Sequence, residues 1–267
     1  MHLRTYINVY HEPVNSNSYA MFLTKHIAAF GKYLDLMGRV FSVPERMRMF
    51  LKQYLKEMEQ LGVDSIGIVL LISFFIGAVI CIQIKLNIQS PWMPAFTTGY
   101  TTREIMVLEF SSSIMCLILA GKVGSNIASE IGTMRVTQQI DALEIMGINS
   151  ASFLILPKIM GLMTMIPFLV IFSIASGFIG AYATAFAGII TPDDLTIGLL
   201  HSFNAWFIWM SIIKSIAFAF IIASVSSFYG YNVQGGSFDV GKASTNAVVS
   251  SSMIILFADI FLTQLLS

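Results

Sequence analysis

The sequence is poor in charge. Aspartate, glutamate, lysine and arginine make up 11% of its 267 residues, against about 25% in an ordinary soluble domain. The 15 basic and 15 acidic residues cancel and form no long basic run, which excludes nucleic acid as a partner recognised by charge. The two cysteines, Cys81 and Cys116, both lie in apolar segments; this excludes a disulfide scaffold, and they read as free buried thiols. The four histidines, His2, His11, His26 and His201, are scattered, so no metal-ligand spacing exists. No serine stands with a paired histidine and carboxylate. One near-motif remains, Gly236-Ser-Phe-Asp-Val-Gly241-Lys242-Ala243, which approaches the phosphate-cradling pattern G-x-x-x-x-G-K-[ST]. Ala243 replaces the hydroxyl that would bind magnesium, and a membrane exit precedes the run where a strand is required. It reads as a glycine-rich cytoplasmic loop. Catalysis by this chain is not expected.

What the sequence does have is apolar length. Hydrophobic residues make up 56% and the mean hydropathy is +0.77, so the expected class is an all-α integral membrane protein. Residues 1–64 read as N-terminal cytoplasmic or interfacial amphipathic helices. From Ala20 to Val40, Phe22, Leu23, Ile27, Phe30, Leu34 and Met37 recur at helical spacing opposite Lys25, Lys32 and Arg39. After Pro44, which suits a first helical turn, Met47, Phe50, Leu51, Tyr54, Leu55 and Met58 repeat the pattern against Arg46, Arg48, Lys52 and Lys56.

Residues 65–267 form the polytopic domain, with five spans expected at about 66–84, 105–120, 159–190, 205–228 and 247–266. The second is weak, since Glu109, Ser111, Ser112 and Ser113 interrupt it. The third carries Pro167 and exceeds one bilayer thickness, which predicts a tilt or kink. Thr191-Pro192-Asp193-Asp194 reads as an outer turn. Eight of the fifteen lysines and arginines precede residue 57, and Lys122, Arg135, Lys158 and Lys242 flank other cytoplasmic positions. The positive-inside rule therefore puts the N-terminus and the stretch 121–150 inside and the C-terminus outside.

Gly121 to Ser150 is the longest polar run between apolar segments. Val136, Ile140 and Leu143 fall at i, i+4 and i+7 with Gln138, Gln139, Asp141 and Glu144 around the other side, which predicts a short amphipathic helix stopped by Gly147. Such a helix between spans two and three is either a passive connector or a knob gripped by a soluble partner. Small-residue stripes at Gly177, Ala181 and Ala185 and at Gly180, Thr184 and Gly188 predict close helix packing within the chain. Glu109, Lys214 and Asp259 are ionisable residues inside spans, where each costs at least about 2.5–3.5 kcal/mol unless it faces protein or water. Lys214 and Asp259 could pair across spans four and five; Glu109, with no evident partner, is the better candidate for a translocation path.

The run from Ala120 to Gly147, AGKVGSNIASEIGTMRVTQQIDALEIMG, closely resembles the signature of MlaE-type permeases, the membrane subunits of ABC lipid transporters that work with MCE-domain proteins. Phe75 to Gln83, Ile213-Lys214-Ser215 and Ala243 to Ser251 through Asp259 carry further resemblance. It implies a homodimeric permease of a bacterial inner membrane that moves phospholipid to or from a periplasmic MCE-domain protein. A separate cytoplasmic ATPase dimer would bind ATP and magnesium, and the permease would carry no cofactor. Under that resemblance Glu109, Gln83, Lys214 and Asp259 line the substrate path. The coupling helix would offer Glu130, Thr133, Met134, Arg135, Thr137, Gln138 and Asp141 to the ATPase, with Met134 as an apolar anchor. The family's Leu-Arg-Glu-Leu-Gly-Pro falls here on Leu108 for the arginine, Glu109 for the glutamate and Ser111-Ser112 for the glycine-proline. A headgroup cation would then have to come from Lys85 or Arg103. Two other classes fit the residues: an ion-coupled secondary carrier using Glu109, Lys214 and Asp259, and a non-transporting scaffold.

The failed nucleotide motif generates a first prediction. The chain purified alone should hydrolyse no ATP; a measurable turnover abolished by Lys242→Ala would contradict the rejection of residues 236–243 as a phosphate-binding motif.

Overall fold

The computed structural model describes residues 16–42, 47–88 and 93–266, with 16–26 as backbone only. Regular structure among these residues is entirely helical. In chain order the helices are α1 (Ser16–Val40), α2 (Met47–Asn87), α3 (Thr97–Val136), α4 (Gln139–Ile145), α5 (Ser150–Phe186), α6 (Pro192–Leu200), α7 (Trp206–Tyr231) and α8 (Ser237–Leu266). Five of them, α2, α3, α5, α7 and α8, are long and apolar enough to cross a membrane, as the hydropathy pattern predicts. Residues 1–15 and Pro44 to Arg46, part of the expected N-terminal pattern, lie outside the described residues.

The helices overrun the expected spans, and residues 237–243, expected as part of a glycine-rich loop, form the first turns of α8. With 41, 40 and 37 residues, α2, α3 and α5 reach about 55–62 Å at 1.5 Å per residue, well beyond a hydrocarbon core of about 30 Å. The expected boundary at residues 64–65 falls inside α2, at a 3-10 turn, Val63–Ser65, that follows a π-helical turn, Met58–Gly62. The weakness read into residues 105–120 dissolves because each serine finds a partner. Ser112 donates to the Leu108 carbonyl at 3.0 Å, Ser173 donates to Ser111 at 3.1 Å and Ser113 donates to Asp259 at 2.7 Å. Around them the backbone widens to i→i+5 bonding over Met106–Ile114.

Two turns differ from expectation. Span three stops at Phe186, not 190, because Gly188 takes φ 82°. Its N–H bonds Ala185 O at 3.0 Å and the Ile189 N–H bonds Thr184 O at 3.2 Å, a Schellman stop. Gly188 therefore serves the turn and leaves the packing stripe. Thr191-Pro192-Asp193-Asp194 opens α6: the Thr191 hydroxyl accepts the Asp194 N–H at 3.3 Å, and Pro192 sits at the first helical position.

α5 is the centre of the bundle, with α2 its most extensive partner and α7 the next. Without water to exclude between them, helices in lipid attract through close van der Waals contact, which needs small side chains. Gly77 on α2 faces Gly177 on α5, and a Cβ on Gly77 would lie 2.1 Å from the Gly177 carbonyl oxygen. One on Gly180 would lie 2.0 Å from the Phe74 carbonyl oxygen. Ser73 and Ser173 share a hydrogen bond of 2.8 Å at the same crossing. Gly177 and Gly180 thus pack within the chain, as their spacing predicts. Gly77→Ala or Gly180→Ala should lower stability in detergent by at least about 1–3 kcal/mol through overpacking. Gly67→Ala, whose Cβ meets open space, should leave the thermal unfolding midpoint unchanged or slightly raised.

Candidate functional site

The three ionisable residues of the spans come together. Lys214 on α7 is fully buried, with Nζ 2.7 Å from Asp259 Oδ1 on α8 and 3.5 Å from Glu109 Oε1 on α3. The ammonium donates to the Leu108 carbonyl at 3.2 Å and to Thr263 Oγ1 at 3.1 Å. Asp259 also accepts the Ser113 hydroxyl at 2.7 Å. The expected pairing of Lys214 with Asp259 is present, but Glu109 is not partnerless: it shares the same lysine. Its side chain stays 45% exposed, against 18% for Asp259. The two carboxylates attach α3 and α8 to the ammonium of α7, and Ser113 and Thr263, which periodicity did not single out, complete the shell.

The other expected path residues lie apart. Gln83 is exposed on α2 and has no hydrogen bond to this cluster. Arg103 is not a free cation. It is buried, donates to the Leu199 and His201 carbonyls at 3.0 and 2.7 Å, pairs with Glu104 at 2.6 Å and stacks over Tyr100 at 4.9 Å. It thereby caps the carbonyl end of α6. Lys85 lines a cavity of about 470 Å³, polar and apolar in equal measure, together with Leu86, Ile88, Met93, Pro94, Thr98 and Ile189.

At the opposite end of the bundle, the stretch 121–150 is two elements rather than one. Residues 121–136 continue α3. Gln138, at φ 59°, then breaks the helix, and α4 follows with Ile140 buried beneath it. Gly147 (φ 78°) ends α4 with a second Schellman stop, as predicted: its N–H bonds Glu144 O at 3.0 Å, and the Ile148 N–H bonds Leu143 O at 3.0 Å. Thr133, Thr137 and Gln138 are exposed. Arg135 and Asp141 bind each other at 2.7 Å, with the guanidinium 5.8 Å from the Tyr231 ring centroid. Met134 packs against the chain's own core. The exposed apolar pair here is instead Ile145 and Met146, 88% and 65% accessible.

Two charged clusters escape the sequence reading. Lys158, expected as a flanking positive charge, is buried between both Glu57 oxygens at 2.8 Å and Glu130 Oε2 at 2.7 Å. The available signal was Glu57, which shares a helical stripe with Phe50, Tyr54 and Leu61. Glu144 Oε1 receives Arg39 at 2.8 Å, Ser150 at 2.9 Å and Tyr231 at 3.0 Å, tying α1 to α4, α5 and α7. The Arg39 guanidinium donating to it, helped by Ser150, holds the Glu144 carboxyl below the usual carboxylate range. Arg39 and Glu144 are 44% and 41% accessible, so the pair itself contributes no more than about 1 kcal/mol.

The Lys214 cluster can be tested by removing its members singly. Lys214→Met leaves two uncompensated carboxylates and should cost about 3–5 kcal/mol, seen as poor accumulation in the membrane and early thermal unfolding. Glu109→Gln keeps the Lys214–Asp259 pair and should accumulate and unfold like the wild type.

Comparison with known proteins places this arrangement. The profile of the family described as Permease MlaE matches residues 54–265, from within α2 almost to the end of α8. A "Probable ABC transporter permease protein" of Synechocystis sp. is 29% identical over 252 residues, 94% of this chain and 94% of that protein. Another of that name from Rickettsia bellii is 31% identical over 228 residues, 82% of this chain and 85% of that one. Protein TRIGALACTOSYLDIACYLGLYCEROL 1, chloroplastic, of Arabidopsis thaliana is 30% identical over 218 residues, 79% of this chain and 60% of that protein. The matched region contains all three members of the Lys214 cluster and the α3–α4 connector. The chain is a multi-pass member of the MlaE family of ABC transporter permeases.

Proposed function

We propose that the chain is the lipid-moving permease of an ABC complex in a bacterial inner membrane. It works as a homodimer, with a separate ATPase dimer on the cytoplasmic side and an MCE-domain protein on the other. The observation that carries this reading is Glu109: a carboxylate in a span, 45% exposed, needs water or protein beside it. A polar path closed by a second copy meets that need. A lipid cargo is supported by the Arabidopsis relative, whose name is that of a galactolipid. The N-terminus and the α3–α4 connector lie inside, by the distribution of lysine and arginine. The half-exposed apolar faces of α1 (Ile27, Phe30, Leu34) and of early α2 (Met47, Leu51, Leu55) suit the membrane interface.

Coupling follows from placement. An ATPase that changes shape with ATP can bias the bundle only through differential contact with an element rigidly joined to it. The α3–α4 connector is such an element: Thr133, Thr137 and Gln138 form a polar rim, and Ile145 and Met146 form the apolar centre that Met134 does not supply. Glu130 acts through its pair with Lys158, and Arg135 and Asp141 act by holding the connector's shape.

The test is ATP-driven lipid transfer by the reconstituted complex. Arg135→Asp or Asp141→Arg alone should lower lipid moved per ATP severalfold, whereas the double exchange, which re-forms the pair with reversed sense, should recover much of it. Transfer driven by a pH gradient without ATP would favour the ion-coupled carrier, and normal coupling in both single variants would remove the connector from the mechanism.

A further inference from the structure

The Lys214 cluster is one positive charge short. It holds two carboxylates and one ammonium, and the ammonium is already committed: the Leu108 carbonyl and Thr263 hydroxyl take two of its protons, and Asp259 holds the closest ionic contact at 2.7 Å. Glu109, at 3.5 Å, has an ionic contact only and accepts no hydrogen bond among the described residues. The uncompensated charge therefore sits on the arm of the cluster that is reachable from outside. Among the described residues no other cation is poised to neutralise it, Arg103 being spent on the carbonyls of Leu199 and His201 and on Glu104.

The depth of the site follows from α7 and α8. The Trp206 indole donates to the Leu266 carbonyl at 3.1 Å, which sets the start of α7 level with the end of α8. At 1.5 Å per residue, Asp259 lies about 10 Å and Lys214 about 12 Å from these helix ends, and Glu109, 3.5 Å from the Lys214 ammonium, shares that depth. A headgroup drawn into the path from that side meets Glu109 before the hydrocarbon midplane.

We propose that Glu109 is a headgroup-selecting residue that takes the primary ammonium of a zwitterionic phospholipid, completing the charge balance of the cluster. This rests on the lipid-transport reading above. A primary ammonium brings a full charge and three N–H donors to a carboxylate that lacks any. A quaternary choline brings the charge without the donors. A glycerol headgroup brings neither, and its phosphate is repelled by Glu109. The order of preference is ethanolamine, then choline, then glycerol.

The test uses the full chain, purified, stripped of lipid and offered equal amounts of phosphatidylethanolamine, phosphatidylcholine and phosphatidylglycerol of identical chains, with the bound lipid identified by native mass spectrometry. The wild type should enrich ethanolamine over glycerol lipid about tenfold, a difference of about 1.4 kcal/mol. Glu109→Gln should bind the same total lipid at the input ratio, and Glu59→Gln, an exposed carboxylate elsewhere on α2, should keep the enrichment. Independently of any variant, N-acylated phosphatidylethanolamine, whose nitrogen is neutral, should lose the advantage. Equal binding of the three lipids by the wild type, as expected if a proton instead neutralises Glu109, would overturn the proposal. So would an enrichment that survives in Glu109→Gln or with the N-acylated lipid. If ATP-driven transfer persists in the complex without headgroup preference, only the selectivity fails; if the complex moves no lipid, the transport reading itself fails.

Discussion

A bilayer interior offers no water to a charge, so the fold must bring a partner to every ionisable group it inserts. Lys214 shows how strongly that constraint acts. Its buried ammonium is reached by carboxylates from α3 and α8, a carbonyl from α3 and a hydroxyl from α8. Removing α7 would leave two carboxylates in the bundle without their cation. The cluster thus fixes the relative positions of three spans more stringently than apolar contact alone, which tolerates sliding between helices of similar shape.

The same device recurs at the other end of α3. Lys158 on α5 is buried between Glu57 of α2 and Glu130 of α3, again one ammonium for two carboxylates. Glu109 and Glu130 both belong to α3 and are separated along it by about 31 Å at 1.5 Å per residue, close to the thickness of the hydrocarbon core. α3 is therefore tied by charge at two points along its length, to α7 and α8 at one and to α2 and α5 at the other. The small-residue crossing of α2 and α5 supplies the apolar counterpart between them. A displacement of the connector at the end of α3 has a direct mechanical route to Glu109.

The N-terminal helix belongs to this system. α1 docks through a Tyr33 hydroxyl that donates to Ser224 at 2.9 Å and through the Tyr33–Phe228 edge contact at 5.7 Å. Its last turn meets α4 at Glu144, and the Arg39 carbonyl accepts the Asn149 side chain at 2.9 Å. The connector is thereby held from α1, α5 and α7 at once, while Ile145 and Met146 remain uncovered.

The residues reveal what depends on neighbours along the chain. Five spans, the amphipathic N-terminal pattern, the stop at Gly147 and the close-packing role of Gly177 and Gly180 are all legible, because hydropathy and helical period act within one or two turns. The family signature at 120–147 carries the identity for the same reason. Pairing is different. That Glu109 shares Lys214 with Asp259, that Lys158 is enclosed by Glu57 and Glu130, that Arg135 holds Asp141, and that Arg103 caps α6 all depend on how helices distant in sequence cross. Whether Met134 or Ile145 faces outward depends on the left-handed turn at Gln138, which rotates α4 relative to α3. Composition and period determine which groups must be satisfied in a membrane; only the packed bundle decides which group satisfies which, because a charge in a low-dielectric medium is neutralised by whatever the tertiary crossing places within about 3–4 Å.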